Sequence, residues 1–252
     1  MMLGMTGSKD IFNRTELLLG TDVMEALASR RIILFGIGGV GSWCAEGLVR
    51  SGVRDLTIVD PDEVSVTNIN RQLMATTSTV GRPKVEALRD RLLDINPEAE
   101  IKAIRTIYDE TTAGEFDLDS YDYIIDAVDS LKDKILLILN ASASKAVFFC
   151  SMGAALKTDP RKVKVSEFWE VRGCPLGFII RKKMRRAKTL PAKKFLCVYD
   201  DEVLPNRGTE GIIETDSFKK AQINGTTAPV TAIFGMTLAG LLIDDVYKKT
   251  VR

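Results

Sequence analysis

Three glycines in the stretch GIGGVG, Gly36, Gly38 and Gly41, stand at G-x-G-x-x-G spacing directly after the apolar run RIILF (31–35) and before a stretch of helical character. Glycines so spaced permit a tight turn and bring backbone N–H groups close to an anion. The helix that follows adds a dipole whose positive end favours phosphate. Asp60 closes the next apolar run, DLTIVD (55–60), where a carboxylate is placed to accept ribose hydroxyls. These residues specify a nucleotide and leave NAD and ATP both open.

The next cluster separates them. DPDEVSVTNINRQ supplies Asp60, Asp62, Asn68, Asn70, Arg71 and Gln72, and Lys84 follows just inside a predicted helix. A dehydrogenase needs a hydride path and usually a proton donor, often His, but the chain has His 0. The same absence excludes Ser-His-Asp triads, Cys-His pairs and His-ligated zinc or haem. Arg and Lys beyond a ribose site instead suit a triphosphate, whose oxygens they neutralise during displacement at phosphorus. Asp126 and Asp129 in IIDAVDS, with Ser130 next, end a predicted strand at the edge where such sheets bind ligands. A carboxylate there can hold magnesium bridging phosphates.

Those residues require a scaffold of alternating strands and helices. The 252 residues, 45% hydrophobic and 27% charged, have ordinary globular composition. Residues 8–29 read as two short helices, with Asp22 as N-cap of the second. Strands are predicted at RIILF, DLTIVD, IKAIRTI, YDYIIDAV and AVFFCS, and helices follow the glycines, Pro83 (through Ile95) and Ser130. Val85, Leu88, Leu92 and Leu93 supply the apolar face of the helix to Ile95. The polar stretch 62–81 is long for a compact domain and therefore functional. This pattern predicts an α/β fold: a Rossmann-like, doubly wound sheet with a parallel core. Beyond residue 151 it changes. KVKVSEFW (162–169) alternates as an antiparallel strand, CPLGFIIRKKMRR turns basic, KFLCVYD is a further strand, and 202–229 is polar and loop-like. We expect one domain, residues 10–151 binding nucleotide and 152–252 elaborating it.

Net charge is +1, yet between Arg161 and Lys194 twelve Lys/Arg stand against Glu167 and Glu170. So strong an excess reads as a patch facing a polyanion on an acidic body. Cys44, Cys150, Cys174 and Cys197 form no C-x-x-C, which argues against thiolate zinc and disulfides and for a reduced, cytoplasmic protein. The N-terminus lacks an apolar signal core. The uncharged run Ala228–Ile243 is 16 residues, short of the roughly 20 of a membrane span, so a core or subunit-interface helix is expected rather than a membrane contact.

Together, GIGGVGSW, the D-x-D-x-V-x-x-x-N-x-NRQ stretch, Lys84 and DAVDS resemble the ubiquitin-activating-enzyme-like (ThiF) superfamily from about Phe12 to Ser151. The resemblance implies an adenylation fold with antiparallel C-terminal strands, acting on a carboxylate with ATP and magnesium. It implies that Gly39, Asp60, the stretch from Thr67 to Arg71 and Lys84 contact nucleotide. By the same likeness Asp129 is the magnesium-linked carboxylate, and Arg14 in FNRTE reaches phosphates across a homodimer. Branches acting on sulfur-carrier or ubiquitin-like tails commonly hold zinc with paired C-x-x-C motifs, absent here, so sulfur-transfer partners are a secondary expectation. CPLGFIIRKKMRR, FLCVYDDEVLP and NGTTAPVTAIFGMTLAG resemble the tRNA threonylcarbamoyladenosine dehydratase family, except that Cys174 stands where that family is expected to carry an acidic residue. That likeness implies a tRNA substrate carrying threonylcarbamoyladenosine and makes Arg181, Lys182, Lys183, Arg185, Arg186 and Lys188 the RNA-contact candidates.

Overall fold

Residues Ile32 to Phe35 of strand β1 (Arg31–Phe35) are all buried, as a strand covered on both faces must be. The computed structural model describes residues 11–208, 212–213, 221–222 and 224–252. Beside β1 lie β2 (Asp55–Val59), β3 (Glu100–Ile104), β4 (Tyr123–Asp126), β5 (Val147–Ser151), β6 (Lys164–Glu167) and β7 (Leu196–Tyr199) in a seven-stranded sheet ordered β3-β2-β1-β4-β5-β7-β6. Neighbours run parallel throughout, β5–β7 included, except that β6 pairs antiparallel with β7. The strand order reverses between β1 and β4, which opens a crevice at their carboxyl ends. The glycine turn follows β1, and Asp129 follows β4, so both reach that crevice.

Two apolar cores cover the sheet. On one face Ile32, Leu34, Leu56 and Ile58 pack with helices α2 (Thr21–Ala28), α3 (Gly41–Arg50), α4 (Lys84–Ile95) and α7 (Ala228–Thr250). On the other, Ile33, Phe35 and Ile124 pack with α5 (Leu131–Ala143) and α6 (Pro175–Ala187). In α4, Val85, Leu88 and Leu92 are buried as expected, while Leu93 is half-buried at the margin.

Three local expectations are corrected. Helix α2, preceded by the short α1 (Asn13–Leu19), is entered through Gly20 at φ +87°, so Gly20 is the N-cap and Asp22 lies inside the first turn. Pro83 stands as N-cap of α4 rather than inside it, and Lys84 is the first helical residue. Helix α7 runs for 23 residues, beyond the uncharged run, because i,i+4 pairs such as Lys249–Asp245 (2.7 Å) extend it. It is long and apolar enough to cross a membrane by length and composition, but Val230, Phe234, Leu238, Leu242 and Val246 form one buried stripe. That stripe meets α3 closely. A Cβ on Gly235 would overlap the Val40 carbonyl oxygen and lie 2.8 Å from the Cys44 nitrogen. The loop expected over 202–229 lies in part outside the described residues; within it β8 (Ile212–Ile213) pairs antiparallel with β9 (Ala221–Gln222).

Candidate nucleotide site and basic helix

The glycine turn is sterically committed. Gly36 has φ +79°, and a Cβ there would lie 2.7 Å from the Ala127 carbonyl oxygen; one on Gly41 would overlap the Gly36 carbonyl. Gly38 and Gly39 are different. A Cβ on Gly38 would meet only Gln72 Nε2, at 3.7 Å, and one on Gly39 would touch Arg71 Cγ and Thr231 Cγ2 at 3.3 Å. The outer pair therefore shape the turn, while the inner pair leave a bare backbone cradle open to a ligand.

Asp60 is buried just past β2. Its Oδ2 accepts the Ile37 N–H at 2.9 Å, from within the glycine turn, and its Oδ1 accepts the Asp62 N–H at 3.0 Å. Burial raises its pKa, against the opposing pull of Lys84 and these N–H donors. Lys84 is 7% exposed, 2.7 Å from Asp62 Oδ2 and 3.7 Å from Asp60 Oδ1. Its ammonium thus links the two carboxylates at the mouth of the turn.

The polar stretch after β2 is ordered by its own side chains. Ser65 and Asn68 form a capping box on the single turn Val66–Asn68, and the exposed Thr67 hydroxyl sits 2.8 Å from Ser65 Oγ. Arg71 folds back over that turn, donating from Nη1 to the Thr67 carbonyl (2.9 Å) and to Asn70 Oδ1 (3.0 Å). The Trp43 indole N–H donates to the Arg71 carbonyl at 3.1 Å. Among the described residues the Arg71 guanidinium pairs with no carboxylate, so its charge is free for an anion above Gly39. Buried beside it, Gln72 leaves Oε1 without a partner.

After β4 the two aspartates part company. Asp126 is fully buried and consumed: Lys134 Nζ lies 2.9 Å from Oδ2, the Val128 N–H donates to Oδ1, and the Cys150 thiol donates to Oδ2. It cannot serve a ligand. Asp129 is exposed, with Ser130 capping α5 beside it. No group of three or more metal-ligating side chains occurs among the described residues. A single carboxylate is nevertheless what magnesium carried on phosphates uses. Gly36, Gly38, Gly39, Asp60, Asp62, Thr67, Asn68, Asn70, Arg71, Gln72, Asp129 and Ser130 lie on the turn and loops at the carboxyl edge, and Gly41 and Lys84 open the helices α3 and α4 that leave it. Arg14 is apart, exposed on α1 and without a hydrogen bond among the described residues.

Helix α6 carries the basic segment. Ion pairs upstream engage Arg161, Lys162 and Lys164, but among the described residues none reaches a cation of α6. Lys182, Lys183, Arg185, Arg186 and Lys188 are exposed, Lys188 as the C-cap at φ +55°. Arg181 corrects the expectation of a surface phosphate contact. It is 8% exposed, and its Nη1 donates to the Phe168 carbonyl at 2.9 Å, which pins the Phe168–Glu170 turn to α6.

Residues 12–250 match the ThiF family. The chain belongs to the ThiF family. It is 34% identical over 240 residues to a Bacillus subtilis protein named tRNA threonylcarbamoyladenosine dehydratase, covering 94% of each chain. The E. coli tRNA N6-threonylcarbamoyladenosine dehydratase in complex with ATP superposes at TM-score 0.85 and 29% identity, over 97% of this chain and 96% of that one. An E. coli molybdopterin-synthase adenylyltransferase is 33% identical over 150 residues, 59% of each chain. The fold of this ThiF-family member is therefore that of an adenylating enzyme along its length, with a C-terminal part shared with the dehydratases.

Sequence reasoning missed Lys134, read only as part of a helix, and the tie from Asn70 Nδ2 to the Thr226 carbonyl (3.2 Å), which fastens the polar loop after β2 to the segment before α7. A lysine directly before the apolar run ILLIL (135–139) of α5 was the available signal for the first; the second joins residues 156 apart and had none. All four cysteines are free and buried, and burial raises the thiol pKa of Cys44 and Cys150. Cys174 and Cys197 are therefore packed core thiols rather than exposed nucleophiles.

Proposed function

We propose that this protein uses ATP to dehydrate threonylcarbamoyladenosine in tRNA, closing the modified side chain into a ring and releasing AMP and pyrophosphate. The observation that carries the reading is the open backbone cradle at Gly38 and Gly39 under Arg71, which, like the exposed cations of α6, pairs with no carboxylate among the described residues. Support comes from the relatives' names and from their full-length coverage.

The chemistry follows from the electrophile. A carboxylate has no usable leaving group at neutral pH, so it must first attack the α-phosphate of ATP. Asp60 would hold the ribose, the cradle N–H groups would receive phosphate oxygens, and Arg71 and Lys84 would stabilise charge on the displaced pyrophosphate. Asp129 would hold magnesium, which supplies further charge neutralisation on the phosphates. The neighbouring carbamoyl group then attacks the activated carbonyl and expels AMP. Because both groups belong to one side chain, effective molarity is high and no histidine is required.

A homodimer supplies Arg14 to the partner's phosphates in this reading. It is supported by Leu17 and Leu18 on the same helix, 81% and 80% exposed and in need of cover. A cytoplasmic location, where ATP and tRNA are both abundant, goes with this reading. Incubation with ATP, magnesium and tRNA carrying the modification tests the function: mass spectrometry should find one water lost from that nucleoside. Arg71→Ala and Lys84→Ala should abolish turnover in folded protein; turnover retained in both would defeat the site.

The match to a molybdopterin-synthase adenylyltransferase favours one second reading, activation of a sulfur-carrier tail. It predicts ATP–pyrophosphate exchange driven by a diglycine-tailed protein rather than by tRNA.

A further inference from the structure

Beside α6 the turn Phe168–Glu170 and the following Arg172 enclose a cleft of about 580 Å³, lined by Trp169, Arg172, Phe178, Arg181, Lys182 and Arg185. None of these residues belongs to the nucleotide site. Phe178, Lys182 and Arg185 recur at helical spacing along one outward face of α6, while Gly177, Ile180 and Met184 hold its other face in the core. Phe178 is 61% exposed, a ring left in water among cations. Trp169 is fixed edge-on against Phe168 (centroids 5.0 Å), and the Arg185 guanidinium lies 5.1 Å over its ring. Arg172 donates to the Trp169 carbonyl at 2.7 Å. Burial, and then the charges of Arg172 and Arg185, lower the pKa of Arg181. Three guanidiniums thus crowd together with no carboxylate paired to them among the described residues.

We propose that this cleft holds one unstacked nucleobase of a single-stranded RNA loop, with its flanking phosphates on Arg172, Lys182 and Arg185. Flat rings beside unneutralised guanidiniums are what base stacking and phosphate binding need together, and duplex RNA offers no free base face. A concave slot of this kind favours a planar heterocycle over an acyl chain. Arg181 is a positioning residue, holding the turn that carries Trp169. The assignment rests on the tRNA reading above and gives that substrate a second foothold away from the reacting nucleoside.

Titration of the full-length protein with a single-stranded RNA heptamer should quench tryptophan fluorescence. The signal should vanish in Trp169→Phe, which retains Trp43 as an unresponsive background. Phe178→Ala, a change at a surface ring that spares the core, should weaken heptamer binding by about fivefold or more, the loss of one stacked base. It should also raise the KM for tRNA. A blunt duplex or anionic phospholipid vesicles binding as tightly as the heptamer would overturn the proposal, as would unchanged affinity in Phe178→Ala. Heptamer binding as described without dehydration of tRNA would sink the proposed function and leave the cleft standing. Dehydration with an unaltered KM in Phe178→Ala would do the reverse.

Discussion

Lys134 and Asp126 form an ion pair of 2.9 Å in which both side chains are wholly shielded from water. The lysine also donates to the Val128 carbonyl at 2.9 Å, and the aspartate accepts the Val128 N–H. Burial opposes the lysine's charge, yet the adjoining carboxylate leaves its pKa raised. The pair thereby fixes residues 127–129, the strip that meets Gly36 on one side and ends in Asp129.

Breaking that pair strands a charge. Lys134→Met or Asp126→Leu alone should each cost about 3–5 kcal/mol in urea denaturation. The two together should cost less than their sum, since no buried charge is then left unpaired and only the Val128 backbone and the Cys150 thiol lose partners. Additive losses would show that the groups act independently.

The glycines of the turn should separate by what surrounds them. Gly36→Ala must strain a left-handed backbone and meet the Ala127 carbonyl, so folded protein should fall and ATP should no longer raise the melting temperature. Gly38→Ala meets only the end of a glutamine side chain. Its unliganded stability should stay within about 1 kcal/mol of the parent, while calorimetry should find ATP affinity lost, because the methyl fills the cradle.

Asp60 should trade stability for binding. Its folded pKa is raised by burial, so between the ordinary value of about 3.9 and the raised one the folded state holds the extra proton. Stability therefore falls as pH rises through that window. Asp60→Asn carries no such titration. Its stability relative to the parent should improve from pH 3.5 to pH 7 in parallel urea series, while ATP affinity drops at every pH.

The cysteines should prove dispensable for chemistry. Native protein should leave all four thiols unmodified by a bulky aromatic disulfide reagent, and unfolding should expose them. Cys174→Ala and Cys197→Ala should keep dehydration activity, with stability lowered by the methylene-scale packing lost. A dead Cys174→Ala variant with intact fold would point to a covalent intermediate.

Much of the site could be read from one dimension because it is built from consecutive residues. Gly36 to Gly41, Asp60 and Lys84 each sit at an element boundary that hydrophobic periodicity locates, and the sheet brings boundaries together by default. What escaped was non-local or orientational. Asp126 and Asp129 look alike in DAVDS, and only the inward-facing Lys134 distinguishes the consumed carboxylate from the free one. Arg181 looks like its basic neighbours, but three and four residues' spacing turns it toward Phe168. Asp22 is a good capping residue in isolation, yet Gly20 makes the turn that α2 requires. The parallel pairing of β7 with β5 depends on a crossover through β6 and α6 that no local pattern encodes.

The contact of Gly235 with Val40 couples distant parts of the chain. Val40 caps the helix that leaves the glycine turn, and Gly235 sits on α7, far along the sequence. Any side chain at position 235 would force the two helices apart, so a lesion remote from the motif in sequence would loosen the turn as surely as one within it.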